Sequence, residues 1–154
     1  MTALSQENMM DRKAGVLIPE GIWVMNQARS RRLIPGTHTL WIVKNDGEEM
    51  IFASVETELT GAVKLTSWQG RYDGPPVEVI GSGMMARVTA PDIGEMLITG
   101  EIPGMGSFSE HCVLLDDGLR LRCTGRIETP DGVLEYIDDF DWHSTSPGMP
   151  ASAA

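Results

Sequence analysis

Apolar and polar residues alternate along most of the chain in short runs, and glycine separates one run from the next. Within 118–128, Leu119, Leu121 and Cys123 share one face of an extended backbone, while Arg120, Arg122, Thr124 and Arg126 share the other. That period of two belongs to a half-buried strand. Four Asp-Gly pairs (Asp46-Gly47, Asp73-Gly74, Asp117-Gly118 and Asp131-Gly132) give the strongest short-range hairpin signal. Further breaks fall at Gly61, Gly81-Ser82-Gly83, Pro91-Asp92-Ile93-Gly94 and Pro103-Gly104-Met105-Gly106. The pattern predicts strands at 37–45, 48–58, 62–72, 76–81, 84–90, 94–102, 107–115, 118–128 and 133–142. Runs this short, β-branched and glycine-bounded favour strand over helix. The one helical turn expected lies near Asn26–Arg32.

The connections are too short for crossover helices, so consecutive strands must pair antiparallel as a meander. A flat meander of about nine strands leaves two sticky edges, and closing it on itself removes them. The expected fold class is therefore all-β: an antiparallel up-and-down barrel of about eight to ten strands with a short N-terminal helical turn. In this reading residues 1–20 form an N-terminal extension, 21–143 the barrel, and 144–154 a disordered tail ending SPGMPASAA.

Gly21-Ile22-Trp23-Val24-Met25-Asn26, followed by Ser30 and Pro35-Gly36, resembles the opening of small bacterial lipocalin-like (calycin-type) β-barrel proteins, which begin Gly-x-Trp-x-Leu-Asn. Tyr72-Asp73-Gly74 with Gly81 soon after, and a last strand ending Phe140-Asp141, extend the resemblance over 21–142. Met25 stands in place of the usual Leu, and Asp138-Asp139 is more polar than that family's pattern. The resemblance implies a lipocalin-like barrel and leaves activity open. Independently of it, a Trp at the start of the first strand can plug one end of a barrel while its indole N–H donates to a backbone carbonyl. Trp23 is read as structural on that ground.

The 154 residues suit one domain with a sizeable core. No run approaches the ~18 apolar residues of a membrane helix, and the N-terminus lacks the apolar stretch of a secretory signal. The expectation is a cytoplasmic protein with no membrane partner, and two unpaired cysteines, Cys112 and Cys123, agree with that compartment. A net charge of −10 argues against nucleic-acid partners. The charge is uneven: 12–44 carries a net +5, including Arg29, Arg31 and Arg32, and 45–154 carries −13. Such a basic run is usually a solvated face or a terminus pinned to an acidic body. The other reading is an anion-binding rim at a pocket mouth.

Neither His-x-His nor Cys-x-x-Cys occurs, so no metal site is expected. His38 or His111 could ligate a haem, but a lone strand histidine is more often a satisfied polar group, and no cofactor is expected. The richest chemistry lies in 135–143, where alternation puts Tyr136, Asp138, Phe140 and Trp142 on one face and Glu135, Ile137, Asp139 and Asp141 on the other. A carboxylate held against aromatic rings has its charged form disfavoured and its pKa raised toward the range useful for proton transfer. The candidate catalytic residues are Asp138, Asp139, His38 and Tyr136. Trp41, Phe52, Trp68, Tyr72, Phe108, His111, Phe140 and Trp142 are the candidate ligand contacts, with Glu110 a further polar group for the pocket. Met84-Met85, Met96 and Met105 suit either core or an adaptable ligand surface. Arg120, Arg122 and Arg126 project into solvent or, turned inward, could hold a ligand carboxylate.

Two functions fit. One is binding of a small apolar or aromatic ligand, with or without a carbonyl or carboxylate, in the barrel cavity. The other is a cofactor-independent isomerase, cyclase or lyase acting there by proton transfer. Two ionisable groups converging within about 3–6 Å in the cavity would favour the enzyme. A homodimer is the remaining expectation for partners.

Overall fold

A computed structural model describes residues 18–45, 48–115 and 118–144. Ten strands follow one another: β1 (Gly21–Met25), β2 (His38–Asn45), β3 (Glu49–Thr57), β4 (Val63–Arg71), β5 (Val77–Glu78), β6 (Met85–Thr89), β7 (Glu95–Ile102), β8 (Gly106–Leu115), β9 (Arg120–Thr129) and β10 (Gly132–Ser144). Every neighbouring pair is antiparallel, and the first strand also pairs with the last, giving the order β4-β3-β2-β1-β10-β9-β8-β7-β6-β5. The remaining gap, between β4 and β5, is spanned by one bridge in which Ser67 and Ile80 exchange hydrogen bonds of 3.0 and 2.8 Å. The result is a nearly closed up-and-down barrel.

The strand boundaries follow the glycine punctuation closely. Two departures are β1, which lies outside the nine runs the pattern predicts, and β5, where six extended residues are expected and two form. Pro75 and Pro76 lack the N–H needed to begin pairing. Ile80 then turns away to bridge Ser67, and Gly81 takes a positive φ of 96°. An added Cβ at Gly81 would collide with the Leu65 carbonyl, so the seam depends on this glycine. The helical turn is a short 3-10 segment, Gln27–Arg29, capped by the Asn26 side chain, which accepts from the Arg29 N–H. The proposed tail beyond Ser144, the extension before Ile18, and the Asp46-Gly47 turn lie outside the described residues.

One half of the interior is solid. Trp23, Phe140, Leu121, Met96 and Ile18 are almost fully buried, and Trp23 donates its indole N–H to the Pro19 carbonyl at 3.0 Å. Trp23 is thus part of the core.

The cysteines correct an expectation. Cys112 on β8 and Cys123 on β9 sit directly opposite each other, with Cα atoms 3.9 Å apart, and form a disulfide. Each lies five residues from the Asp117-Gly118 pair, so a hairpin symmetrical about that pair must juxtapose them. Neither cysteine is therefore a free thiol, and neither points to a reducing compartment.

Candidate functional site

The other half of the barrel is hollow. A cavity of about 340 Å³ lies above the packed end and reaches the surface beside Leu33 and Ile34, which are 45% and 57% exposed. Its apolar wall is formed chiefly by Trp41, Phe52, Trp68, Phe108, Met50 and Met84. Three of these side chains are held by specific contacts. Trp41 stacks on Phe140 beneath it (4.1 Å, 29°) and meets the edge of Phe52 (4.6 Å, 67°). Trp68 is fixed by its indole N–H, which donates to the Ala86 carbonyl at 2.9 Å.

The polar wall comes from two sources. Alternation along β10 points Tyr136 and Asp138 into the cavity, and alternation along β8 does the same for Glu110. The third contributor, Arg32, belongs to no strand. Arg31 next to it forms a two-way backbone bridge with Ile137, and this lays residues 29–32 across β10. Arg32 enters the cavity and Arg29 stays outside, so consecutive carboxylates on β10 are gripped from opposite faces. The basic run is thus pinned to the chain's own acidic residues.

Inside, Arg32 Nη1 donates to both Asp138 oxygens at 2.8 and 2.9 Å. Its Nη2 donates to Glu56 Oε2 and Thr39 Oγ1, both at 2.9 Å, and its Nε donates to Thr37 Oγ1 at 3.0 Å. Burial pushes the Asp138 carboxyl up, Arg32 pulls it back, and the net displacement is upward. Tyr136 donates to Glu110 Oε1 at 3.0 Å. Burial, reinforced by the charge of Asp138, raises Glu110 to about 7 despite the Tyr136 hydrogen bond and Arg32, which act in the opposite sense. Burial and the Glu110 charge also push the Tyr136 phenol up.

Gly125 makes the Tyr136–Glu110 contact possible. The two residues lie on β10 and β8 with Gly125 of β9 between them in register. The Tyr136 ring lies flat over Gly125, and a Cβ there would overlap the ring carbons. The Phe108 ring covers Gly100 on β7 in the same way, 2.6 Å from where a Cβ would be.

Several expected site residues fall elsewhere. Asp139 faces away from the cavity: it takes Arg29 at 2.8 Å, Arg120 at 2.9 Å and Arg122 at 3.1 Å, and Arg29 continues to Asp141. Burial alone would raise its pKa, but hydrogen bonds from Arg120 and Arg29 outweigh that and hold it below the ordinary aspartate value. It is not among the residues that line the cavity. His38 alternates outward from the lining residues Thr39 and Trp41. His111 is half exposed between the inward-facing Glu110 and Cys112, and pairs with Glu95 at 3.2 Å. Phe140 and Tyr72 belong to the core rather than the lining, and the Trp142 indole donates to the Glu20 carbonyl. Trp41, Phe52, Trp68, Phe108, Tyr136 and Asp138 are brought together around the cavity. Among the methionines named, Met84 lines the cavity, Met96 is core, and Met85 and Met105 are exposed. Arg32, Glu56 and Thr39 complete the polar wall without having been singled out as ligand contacts. Glu110, Cys112 and Cys123 offer atoms within 4.8 Å of one another, but the sulfurs are joined as a disulfide and provide no thiolate for a metal.

The fold is a lipocalin-like up-and-down β-barrel. Among solved structures, zebrafish ileal bile acid-binding protein complexed with cholic acid superposes with a TM-score of 0.56. The alignment covers 80% of this chain and 98% of that one at 10% identity. No family model and no curated protein matches the sequence.

Proposed function

We propose that this protein binds a small, largely apolar or aromatic molecule with one polar group inside its barrel. The observation that carries this reading is the half-hollow interior, an aromatic-walled cavity of about 340 Å³ with a few convergent polar groups and an opening beside Leu33 and Ile34. Cavities of that make-up and of roughly 300–1,000 Å³ are typical ligand sites. A protein of the same fold is a bile acid-binding protein, which supports the reading at the level of architecture. Trp41 and Trp68 line the cavity, so saturable changes in tryptophan emission are expected with some members of a panel of terpenoids, aromatic ketones and aromatic amines. Thr66→Phe, which fills the cavity from β4, should weaken that response. A panel without any saturable response overturns the reading.

One observation favours a second reading. Glu110 and Tyr136 lie 3.0 Å apart at the cavity, and Glu110 titrates near 7. A carboxyl with that pKa is suited to pass a proton at neutral pH. In this reading Glu110 is the base for a cofactor-independent isomerisation, in place of the externally tied Asp139 and the Arg32-paired Asp138. Proton–deuterium exchange at the α-carbon of a bound cyclic ketone, followed by NMR, is expected with wild type and lost in Glu110→Gln. Exchange no faster than in buffer removes it.

A further inference from the structure

The charge inside the cavity is unbalanced. Among the described lining residues Arg32 is the one basic side chain, whereas Glu56, Glu110 and Asp138 are acidic. A guanidinium has five N–H donors. Those of Arg32 reach the carboxylates of Asp138 and Glu56 and the hydroxyls of Thr39 and Thr37. A ligand carboxylate would have to compete for it with both of the protein's own carboxylates. Arg120, Arg122 and Arg29 offer no help, because they hold Asp139 on the outer face. An anion entering this cavity therefore meets net negative charge and a guanidinium already paired with two carboxylates.

Among the described residues Glu110 is the lining acid with no ion-pair partner. It is 7% exposed, and Tyr136 is its hydrogen-bond donor among the described residues. A positive group placed at Glu110 would supply the missing counter-charge in a low-dielectric site, where such a pair is strong. The surrounding wall suits a cation too. Trp41, Phe52, Trp68 and Phe108 present aromatic rings to the same space, and ring faces attract ammonium groups.

We propose that the cavity selects a cation: its ligand is an aromatic or alicyclic amine with its ammonium at Glu110 and its hydrocarbon against the Trp41, Phe52, Trp68 and Phe108 wall. This rests on the cavity-binding reading and names its ligand class. Carboxylate ligands such as the cholate held by the zebrafish protein are disfavoured by the same charge count.

The test uses the full chain and three probes that differ only in the terminal group: phenylbutylamine, phenylbutanol and phenylbutanoate. Calorimetry at about pH 8 keeps the amine protonated and the acid ionised. The amine is expected to bind about tenfold more tightly than the alcohol, a difference worth one charge-assisted hydrogen bond, with the butanoate weakest. Glu110→Gln should bring the amine down to the affinity that the same variant shows for the alcohol. If that variant does not fold, the wild-type order decides alone. Equal affinity for amine and alcohol, or tighter binding of the butanoate, overturns the cation assignment while leaving cavity binding intact. Silence from all three probes, joined by silence from the fluorescence panel, removes both.

Discussion

Asp138 and Asp139 are chemically identical neighbours with opposite tasks. Asp138 faces a cavity and is displaced upward in pKa, and Asp139 faces an arginine cluster and is displaced downward. A depressed carboxylate contributes stability that is present above its unfolded pKa and is lost as the pH falls through its folded value. Asp139→Asn should accordingly lower stability by about 2 kcal/mol at neutral pH, since it leaves Arg29, Arg120 and Arg122 clustered without their anion. Urea unfolding of the variant measures this, and the difference from wild type should shrink in acid. Glu110 acts in the reverse direction. Its pKa rises from 4.5 to about 7 on folding, so the native state binds more protons than the unfolded state between those values, and stability falls as the pH rises through that window. Glu110→Gln should therefore unfold at a higher urea concentration than wild type at about pH 8, by on the order of 1–3 kcal/mol, and at a similar one near pH 4. Equal pH profiles for the two proteins would contradict the burial argument.

At the scale of elements, the cavity wall is shaped by rings lying over glycines. Gly125→Ala should push the Tyr136 ring off β9, break its bond to Glu110 and cost about 1–3 kcal/mol through overpacking. The Tyr136 ring signals in NMR and the urea midpoint should both report it. Much of this element structure is legible in the sequence. Glycine breaks and alternation locate the strands, and the same alternation along 135–143 separates Tyr136 and Asp138 from Asp139. What alternation cannot supply is which face turns inward, or what stands opposite. Glu110 and His111 are adjacent candidates of opposite orientation, and only the register through Gly125 to Tyr136 decides between them. Arg32 lies outside any periodic run and finds Asp138 across 106 residues of sequence, so no local pattern announces the pair. The disulfide was within reach, because hairpin symmetry about Asp117-Gly118 already places Cys112 opposite Cys123. Cysteine count alone concealed it.

For the whole molecule, closure is uneven. β9 and β10 share ten register pairs, whereas the seam between β4 and β5–β6 is held by the Ser67–Ile80 bridge, the Asp73 N–H on the Val88 carbonyl and the Trp68 indole on the Ala86 carbonyl. Local opening is cheapest where few backbone hydrogen bonds must break. Amide hydrogen exchange should therefore be fastest, among strand-paired positions, at Ser67 and Ile80, and slowest around Leu121, Cys123 and Phe140. Uniform protection around the ring would contradict a weak seam. Thr66, Val79 and Met84 flank this seam and line the cavity, so its opening widens the interior directly.

The pairing of β1 with β10 bears on synthesis. As the chain leaves the ribosome, β1 gains β2 and then waits for its other neighbour until the last strand emerges. That final strand delivers Tyr136, Asp138, Asp139 and Phe140 together, which supply much of the polar wall, the anchor of the arginine cluster and the stacking partner of Trp41. A nascent polypeptide stalled just before residue 132 would thus have an unclosed sheet, lacking β10, whose open edges invite other chains.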